Sequence, residues 1–513
     1  MSKTGKKIGV IAHGSRGDVQ PLVAIAVNFQ KMGYGVVLYA GPENDDFAKT
    51  YSFEFVPLKS TKALYDDKAW LKKLSSLNPD ETNEAMCDVL KHSLGPDAQQ
   101  IKTSLESDSS ICCLIGSTNA ISLLAACNYS RNIPGVNIFF QPHYPTTAHL
   151  SPMFNSKDWA FEHLHPSVYP ALQEAFLHGY VTALYDSINA PWELMMGSKD
   201  KVGHMYDTYD GVDVVKCIKN QHPTLFTVFG ASEVLLGGRP SDMNKETVLA
   251  GYPTLENTED SNNKLVGVSN ELRTFMKAGD PPAYIGFGSM CALDNKKIIT
   301  LAVGALHKTG KRGVILAGWA DLAPNMLDDS PELKKYAESG NILFQKSLPH
   351  DWLFPQCCCV VHHGGAGTTH SAMLGGSPSI IIPFYFDQNF FADRTVMLGM
   401  GQRLPSMVEV TVDDLSAAIT TATTDSAMIS AAKKVRERLK DENGALKAAE
   451  AIVDYISRYD PEKAKEHQIM GAAKARRSGP INVIKNFVVE KYKSTMLTFN
   501  VLYYYKKNNL FGK

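Results

Sequence analysis

The feature that most constrains the fold is a strand–helix alternation that occurs twice along the chain. In the first half, short and continuously apolar segments occur at residues 8–12, 36–40, 53–56, 111–115 and 136–140. The stretches between them, such as 21–32, have helical periodicity. The same rhythm restarts later with apolar segments at residues 283–287, 314–317, 360–362 and 380–383. Continuous apolar strands separated by amphipathic helices indicate an α/β fold with doubly wound parallel sheets.

A polar, Asn-rich stretch separates the two halves at residues 255–270. Such a segment is typical of a linker or loop. We therefore predict an N-terminal domain, a linker region, a C-terminal domain and a tail, at residues 1–240, 241–275, 276–458 and 459–513.

Composition narrows the class of protein. The 513 residues carry a formal charge of −1 and are 44% hydrophobic, which excludes a largely disordered chain and the positive field of a dedicated nucleic-acid binder. An odd count of nine cysteines argues against a secreted disulfide framework. The first apolar run ends at residue 12, too early for a signal peptide, and no segment reaches the roughly 18 apolar residues of a membrane span. We expect a cytoplasmic protein.

The tail differs from the rest of the chain. Residues 461–513 contain 11 Lys and Arg against three acidic residues, interleaved with aromatics such as Phe487, Tyr492 and Phe499. This pattern suits peripheral contact with an anionic membrane surface. A helix that packs back on the N-terminal half, followed by a solvated basic end, explains the pattern equally well.

The first chemical motif is GSRGDVQP, which follows the first predicted strand. Ligands of open α/β sheets bind beyond the carboxyl ends of strands, where this loop lies. Gly14 and Gly17 let the backbone approach a ligand, and Pro21 suits the first turn of the next helix. Arg16 and Asp18 are then displayed at the crevice, although a tight turn with a surface ion pair is an equal alternative. The spacing is not that of a dinucleotide fingerprint.

The second motif is VVHHGGAGTT, again at a strand–loop–helix junction. The glycine N–H groups and the helix N-terminus form a phosphate site, to which His363 can add a hydrogen bond. Asp387 and Gln388 follow the next strand, where an acid and an amide can bind sugar hydroxyls. No two Asp residues are separated by one residue, so we expect a diphosphate to be stabilised without a metal. Ser289 could add a donor from across the crevice, or could simply form a turn.

Two further sets of residues have competing interpretations. Cys357, Cys358 and Cys359 precede two histidines, but contiguous cysteines on a strand favour buried thiols over a zinc site. His143 and His149 border an acceptor pocket or, as we expect, are solvated loop residues.

Together with Pro349-His350-Asp351-Trp352, these motifs resemble the inverting, UDP-sugar-dependent glycosyltransferases with two facing Rossmann-like domains, the GT-B fold. The motif sequences PHDWLFPQC, HHGGAGTT and GSRGDVQP are similar to those of the sterol 3-beta-glucosyltransferase branch. The resemblance spans residues 7–455. It implies a donor site in the C-terminal half, an acceptor site in the N-terminal half, and UDP-glucose as co-substrate with no further cofactor. Trp352 then either lines the uracil pocket or anchors its loop in the core. The stretch Thr369-His370-Ser371 lacks the acidic ribose contact of the plant small-molecule branch, so no ribose-binding residue is assigned.

The resemblance and the motifs together define the candidate site. Asp18 is the predicted catalytic base, with His13 as the rival; the plant branch usually has His at the position aligned with Asp18. The predicted donor-binding residues are Ser15, Arg16, Ser289, His350, His363, Gly365, Gly367, Thr368, Asp387 and Gln388.

The expected function is inverting transfer of glucose from UDP-glucose to the hydroxyl of a sterol or a similar lipid alcohol. The expected partners are therefore the UDP-sugar and the hydrophobic alcohol, with no nucleic acid. One alternative acceptor is a small aromatic or macrocyclic natural product. A non-catalytic nucleotide-sugar binder and a UDP-sugar-hydrolysing epimerase on the same fold are the alternatives from other classes.

Overall fold

The computed structural model describes most of both predicted halves. The described residues are 5–14, 16–60, 97–117, 120–153, 164–174, 213–221, 225–255, 268–288, 294–318, 321–384 and 387–466, with the single positions 67, 69, 70, 73, 88, 156, 157 and 177. The predicted membrane element at residues 470–513 lies outside them, so both interpretations of the tail stay predictions.

The described strands form two sets in chain order. The first set is β1 (Lys7–Ala12), β2 (Gly35–Ala40), β3 (Glu54–Pro57), β4 (Ile111–Ser117), β5 (Gly135–Phe139), β6 (Leu225–Phe229) and β7 (Val248–Leu249). The second set is β8 (Ala283–Gly286), β9 (Gly313–Leu316), β10 (Ile342–Gln345), β11 (Cys359–His362), β12 (Ser379–Ile381) and β13 (Gly401–Arg403).

Helices alternate with these strands. In the N-terminal half they are α1 (Arg16–Lys31), α2 (Asp45–Tyr51), α3 (Ile121–Arg131), α4 (Asp213–Ile218) and α5 (Glu233–Leu236), and residues 97–107 are also helical. The remaining helices are α6 (Asn270–Lys277), α7 (Asn295–Thr309), α8 (Pro331–Glu338), α9 (His350–Leu353), α10 (Ala366–Gly375), α11 (Gln388–Met397), α12 (Val412–Thr424), α13 (Ser426–Leu439) and α14 (Gly444–Arg458). Among the described helices, none has both the length and the apolar character that a membrane crossing needs.

Each set of strands forms one parallel sheet. The first has the order β3-β2-β1-β4-β5-β6-β7 and the second the order β10-β9-β8-β11-β12-β13. Val10 of β1 pairs with Leu38 of β2 on one side and with Ile115 of β4 on the other. The strand order therefore reverses at β1/β4 and at β8/β11, and such reversals open a crevice beyond the strand ends. The predicted α/β class with two doubly wound sheets is confirmed.

The start of α1 differs from the prediction. The helix begins at Arg16, five residues before Pro21, so the placement of Pro21 in the first turn is wrong. Instead, Asp18 lies in the first turn. An acidic side chain there is favoured by the unpaired N–H groups and by the helix dipole. The GSRGDVQP motif is therefore mostly helix, and Asp18 is held by regular backbone rather than by a loop.

The domain boundaries also differ in two places. Strand β7 falls within the predicted linker, yet it pairs with β6 at the edge of the first sheet. Helix α14 falls within the predicted C-terminal domain, yet Ala448 and Ile452 are buried in the core of the N-terminal half. Tyr455 of α14 stacks on Phe226 of β6 with ring centroids 4.7 Å apart. The chain therefore returns to its first domain at its last described helix.

Because α14 packs on the first core, shortening a buried side chain of α14 should destabilise the N-terminal half. Replacing Ile452, which is fully buried, with Ala should cost about 2–5 kcal/mol because it leaves a cavity. Hydrogen exchange should accelerate in peptides from β1 and β2, and not in peptides from β8 and β9. Glu450→Ala, on the exposed face of the same helix, is the control. Faster exchange confined to the second sheet would contradict the placement of α14.

Candidate functional site

The candidate site lies where the two strand reversals face each other. Gln141 follows β5 of the first sheet, and Asp387 precedes α11 of the second. The Gln141 Nε2 donates a hydrogen bond of 2.8 Å to Asp387 Oδ2. The carboxyl edges of the two sheets are therefore in direct contact across the crevice.

Asp18 lies beyond the end of β1, at the carboxyl edge of the first sheet. Gly14 follows β1 with φ +118°, a backbone conformation that glycine adopts without strain. A Cβ at position 14 would collide with the carboxylate of Asp18, which folds back over this glycine. Asp18 is half-buried. Burial is the main cause of the raised pKa of Asp387 on the opposite edge, and the negative charge of Asp18 adds to it. The structure does not describe Ser15 or the side chain of Arg16, so their predicted roles lie outside the described residues.

His13, the residue after β1, faces a buried residue that the sequence analysis missed. His13 is 5% exposed, and its Nε2 lies 3.5 Å from Oδ2 of Asp97, which is 1% exposed. Burial lowers the pKa of His13 to about 4 and raises that of Asp97 to about 6. The Lys59 N–H donates to the other oxygen of Asp97 at 2.7 Å. No local signal links Asp97 to His13, because the pair forms only when distant segments pack together.

The glycine-rich segment at residues 364–367, called the glycine turn below, follows β11 at the crevice edge of the second sheet. Helix α10 begins at Ala366 with Gly365 as its N-cap, so the first N–H groups of the helix have no partners within it. His362 holds this turn: its side chain is buried, and its Nδ1 accepts a hydrogen bond of 3.1 Å from the Gly364 N–H. Gly367 and Thr368 lie in the first turn of α10.

His363 lies over the turn. A Cβ at Gly365 would collide with its Nε2, and a Cβ at Gly288, beyond the end of β8, would lie 3.0 Å from its Cε1. The ring therefore bridges the ends of β8 and β11. Burial, and secondarily His350, lower the pKa of His363 to about 4, so the ring is neutral at pH 7. Its Nδ1 is buried without a hydrogen-bond partner among the described residues. Ser289, the next residue after Gly288, is not described.

His350 is held by aromatic neighbours. Its Nε2 lies 3.2 Å from the hydroxyl of Tyr284, and its ring stacks on Phe354 at 4.5 Å between centroids. The effect of His350 on the pKa of His363 indicates that the two imidazoles are close. Trp352, two residues along the same helix, has the guanidinium of Arg273 5.7 Å from its ring centroid.

Asp387 and Gln388 follow β12, but they are placed differently. Burial, with a smaller contribution from Asp18, raises the pKa of Asp387 to about 6 despite the hydrogen bond from Gln141. Gln388 is 4% exposed, and its Oε1 accepts a hydrogen bond of 2.7 Å from the Phe384 N–H. Gln388 therefore supports the strand end, while Asp387 lies with Gln141 and Asp18 in the crevice. Gln141 was missed, although its position directly after a predicted strand was the available signal.

Two other expectations can be compared with the structure. The expectation that His143 and His149 are solvated is wrong, because they are 6% and 4% exposed. His149 packs edge-on against Phe390 of α11, which covers the loop from the second half of the molecule. Within the described ranges, no group of three or more His, Cys, Asp and Glu side chains could hold a metal ion.

Two family models match the chain, one in each half. Residues 8–106 match the glycosyltransferase family 28 N-terminal domain. Residues 329–453 match the erythromycin biosynthesis protein CIII-like C-terminal domain. The first match includes Asp18, and the second includes the glycine turn with His363 and Asp387.

Two curated relatives are sterol 3-beta-glucosyltransferases. The chain is 28% identical over 464 residues to the protein of Candida albicans, covering 88% of this chain and 28% of that protein. It is 27% identical over 426 residues to a protein of Arabidopsis thaliana, covering 80% of this chain and 62% of that protein. The chain thus spans less than two thirds of the length of either relative.

Solved structures show the same fold. The glycosyltransferase of kitacinnamycin superposes with a TM-score of 0.57 at 18% identity, covering 88% of this chain and 99% of that one. A Streptomyces glycosyltransferase complexed with thymidine diphosphate superposes with a TM-score of 0.53 at 15% identity, with the same coverage. The chain therefore has the GT-B fold of these glycosyltransferases and, in sequence, resembles the sterol 3-beta-glucosyltransferases.

Proposed function

We propose that this chain is an inverting glycosyltransferase that moves glucose from UDP-glucose to the hydroxyl of a sterol or a similar lipid alcohol. The observation that carries the proposal is the convergence of Asp18 with Asp387 and Gln141 across the crevice. In this arrangement Asp18 of the first half lies near Asp387 of the second half, and Asp387 accepts a hydrogen bond from Gln141 of the first half. The similarity to sterol 3-beta-glucosyltransferases over most of the chain supports the acceptor class.

In this proposal the diphosphate of the donor binds at the N-terminus of α10. The N–H groups of its first turn and the ring of His363 donate hydrogen bonds to it. These hydrogen bonds are strong because the surrounding residues shield the site from water. An anion beside His363 opposes the effect of burial and favours the protonated ring. The glucose then lies toward Asp387 and Gln141, where a carboxylate and an amide can bind its hydroxyls.

The reaction is a single displacement at C1 of the glucose. Asp18 takes the proton from the acceptor hydroxyl while the oxygen attacks C1 on the face opposite the diphosphate. The bond from C1 to the phosphate oxygen breaks, and its electron pair leaves with UDP. An ordinary Asp is a weak base for an alcohol, so proton transfer is concerted with bond formation. In this scheme the charge of the leaving group is stabilised by α10 and His363 without a metal ion.

Product analysis tests the function. The protein is incubated with UDP-glucose and a panel of sterols, aromatic phenols and macrolides, and the products are identified by mass spectrometry. Sterol glucosides with inverted stereochemistry support the proposal. Glucosides of only the aromatic or macrocyclic acceptors would change the acceptor class. Hydrolysis of UDP-glucose alone, or no reaction, would indicate an epimerase-like enzyme or a non-catalytic binder.

The catalytic prediction concerns Asp18. Asp18→Asn keeps the shape and removes the base, so kcat should fall about 10²–10⁴-fold while UDP-glucose affinity is nearly unchanged. His13→Ala should have the smaller effect on kcat, because His13 is buried against Asp97. Asp45→Asn, on α2, is the control. If Asp18→Asn keeps most of its activity and His13→Ala loses it, His13 is the base.

The donor prediction separates phosphate from sugar contacts. His363→Ala should weaken UDP and UDP-glucose alike, whereas Asp387→Ala should weaken UDP-glucose selectively, because UDP has no glucose hydroxyls. Each lost hydrogen bond to a charged group corresponds to about 10- to 150-fold in affinity. Calorimetric titration of both ligands measures this. His307→Ala, a partly exposed histidine on α7, is the control. Equal losses of both ligands in Asp387→Ala would remove Asp387 from the sugar site.

The raised pKa of Asp387 predicts how donor affinity depends on pH. The carboxylate accepts stronger hydrogen bonds from sugar hydroxyls than the neutral acid does, and a pKa of about 6 means that the carboxylate form is lost as the pH falls through 6. UDP-glucose affinity should therefore decrease up to about tenfold between pH 7.5 and pH 5. In Asp387→Asn this part of the pH dependence should disappear. Identical pH profiles for the two proteins would show that Asp387 does not titrate in donor binding.

A further inference from the structure

Tyr252 is anchored on the N-terminal half. It follows β7, and its backbone neighbours are fixed to the loop after β6. The Ala250 N–H donates to the Phe229 carbonyl at 2.9 Å, and the Gly251 N–H donates to the Ala231 carbonyl at 3.2 Å. Its side chain is 8% exposed and packs in the core of the first half. The ring therefore cannot move independently of the first sheet.

The same side chain reaches the glycine turn of the second half. Its ring stacks nearly parallel on His370 of α10, with centroids 4.4 Å apart and planes 15° apart. A Cβ at Gly367 would lie 2.8 Å from the Tyr252 hydroxyl oxygen. A helical Cβ tilts toward the N-terminus of its helix, so this oxygen lies beside the first turn of α10. Gly367 is thus the residue that leaves room for the hydroxyl.

No hydrogen bond joins the hydroxyl to another described residue, and its oxygen is not one of the polar atoms that are fully enclosed without a partner. The residue as a whole is 8% exposed, and a tyrosine whose ring is buried usually uses its hydroxyl in a hydrogen bond. The charged groups near the hydroxyl indicate which kind of partner suits it. Burial, with the charges of Asp18 and Asp387, raises the pKa of Tyr252, so the phenol keeps its proton. It is a donor beside the N–H donors of α10, and together these groups suit an acceptor with several oxygens.

We propose that the Tyr252 hydroxyl donates a hydrogen bond to the diphosphate of the nucleotide sugar at the N-terminus of α10. This inference rests on the proposed function. It adds to the donor site a residue that belongs to the first half of the molecule, whereas the α10 N–H groups and His363 belong to the second. The leaving group then holds the two halves together, because its oxygens bind to both.

Tyr252→Phe tests the proposal because it removes the hydroxyl and keeps the ring on His370. The affinities for UDP and for uridine are measured by titration or competition. We expect UDP binding to weaken about 10- to 100-fold and uridine binding to remain unchanged, since uridine has no phosphate. Tyr455→Phe, which alters another buried tyrosine stacked in the first core, should change neither affinity. Retained uridine binding also shows that the variant is folded.

Two results would overturn the proposal: UDP affinity equal to that of the unmodified protein, or equal losses for UDP and uridine. The proposed function fails by a different observation, in which the unmodified protein binds UDP but forms no glucoside from UDP-glucose. In that case a selective loss of UDP in Tyr252→Phe would still establish the phosphate contact.

Discussion

Parallel strand pairing is the constraint on which the rest of this structure depends. Because every described pairing in both sheets is parallel, the carboxyl ends of all strands in a sheet emerge at one edge. The strand order reverses beside β1 and beside β8, and helices leave those points on opposite faces. Asp18, the glycine turn and His363 all follow strands at these reversals. Helix α14 returns to the first core and so ties the end of the second half to the first.

Burial shifts the pKa values of the ionisable groups in the crevice toward their neutral forms. His363 is neutral at pH 7 because burial lowers its pKa to about 4. Burial, with a smaller contribution from the charge of Asp18, raises the pKa of Asp387 to about 6. Burying the charged forms of these groups costs free energy when no donor is bound. In the proposed function the donor offsets that cost, since a diphosphate favours protonated His363 and sugar hydroxyls favour ionised Asp387. The Tyr252 hydroxyl makes no hydrogen bond to another described residue, and in the further proposal the diphosphate is its acceptor.

Local patterns predicted the strands well and their surroundings poorly. Continuous apolar runs located nine of the strands to within a residue or two, because a buried parallel strand must be apolar on both faces. The predictions that failed depended on contacts. Pro21 was placed at a helix start because proline is common there, but the helix begins five residues earlier. His143 and His149 were expected in solvent because their segment is a loop, but Phe390 of the other half covers His149.

The sequence by itself determined the two α/β halves, the glycine turn before α10 and the positions of Asp18, His363 and Asp387 at strand ends. These features are local: they depend on hydrophobic periodicity, on the freedom of glycine and on order along the chain. Only the tertiary structure decided that Asp97 faces His13, that Gln141 binds Asp387 and that Tyr252 reaches Gly367. Partner choice and pKa depend on which distant segments exclude water from a group, and that is determined only when the two halves pack together.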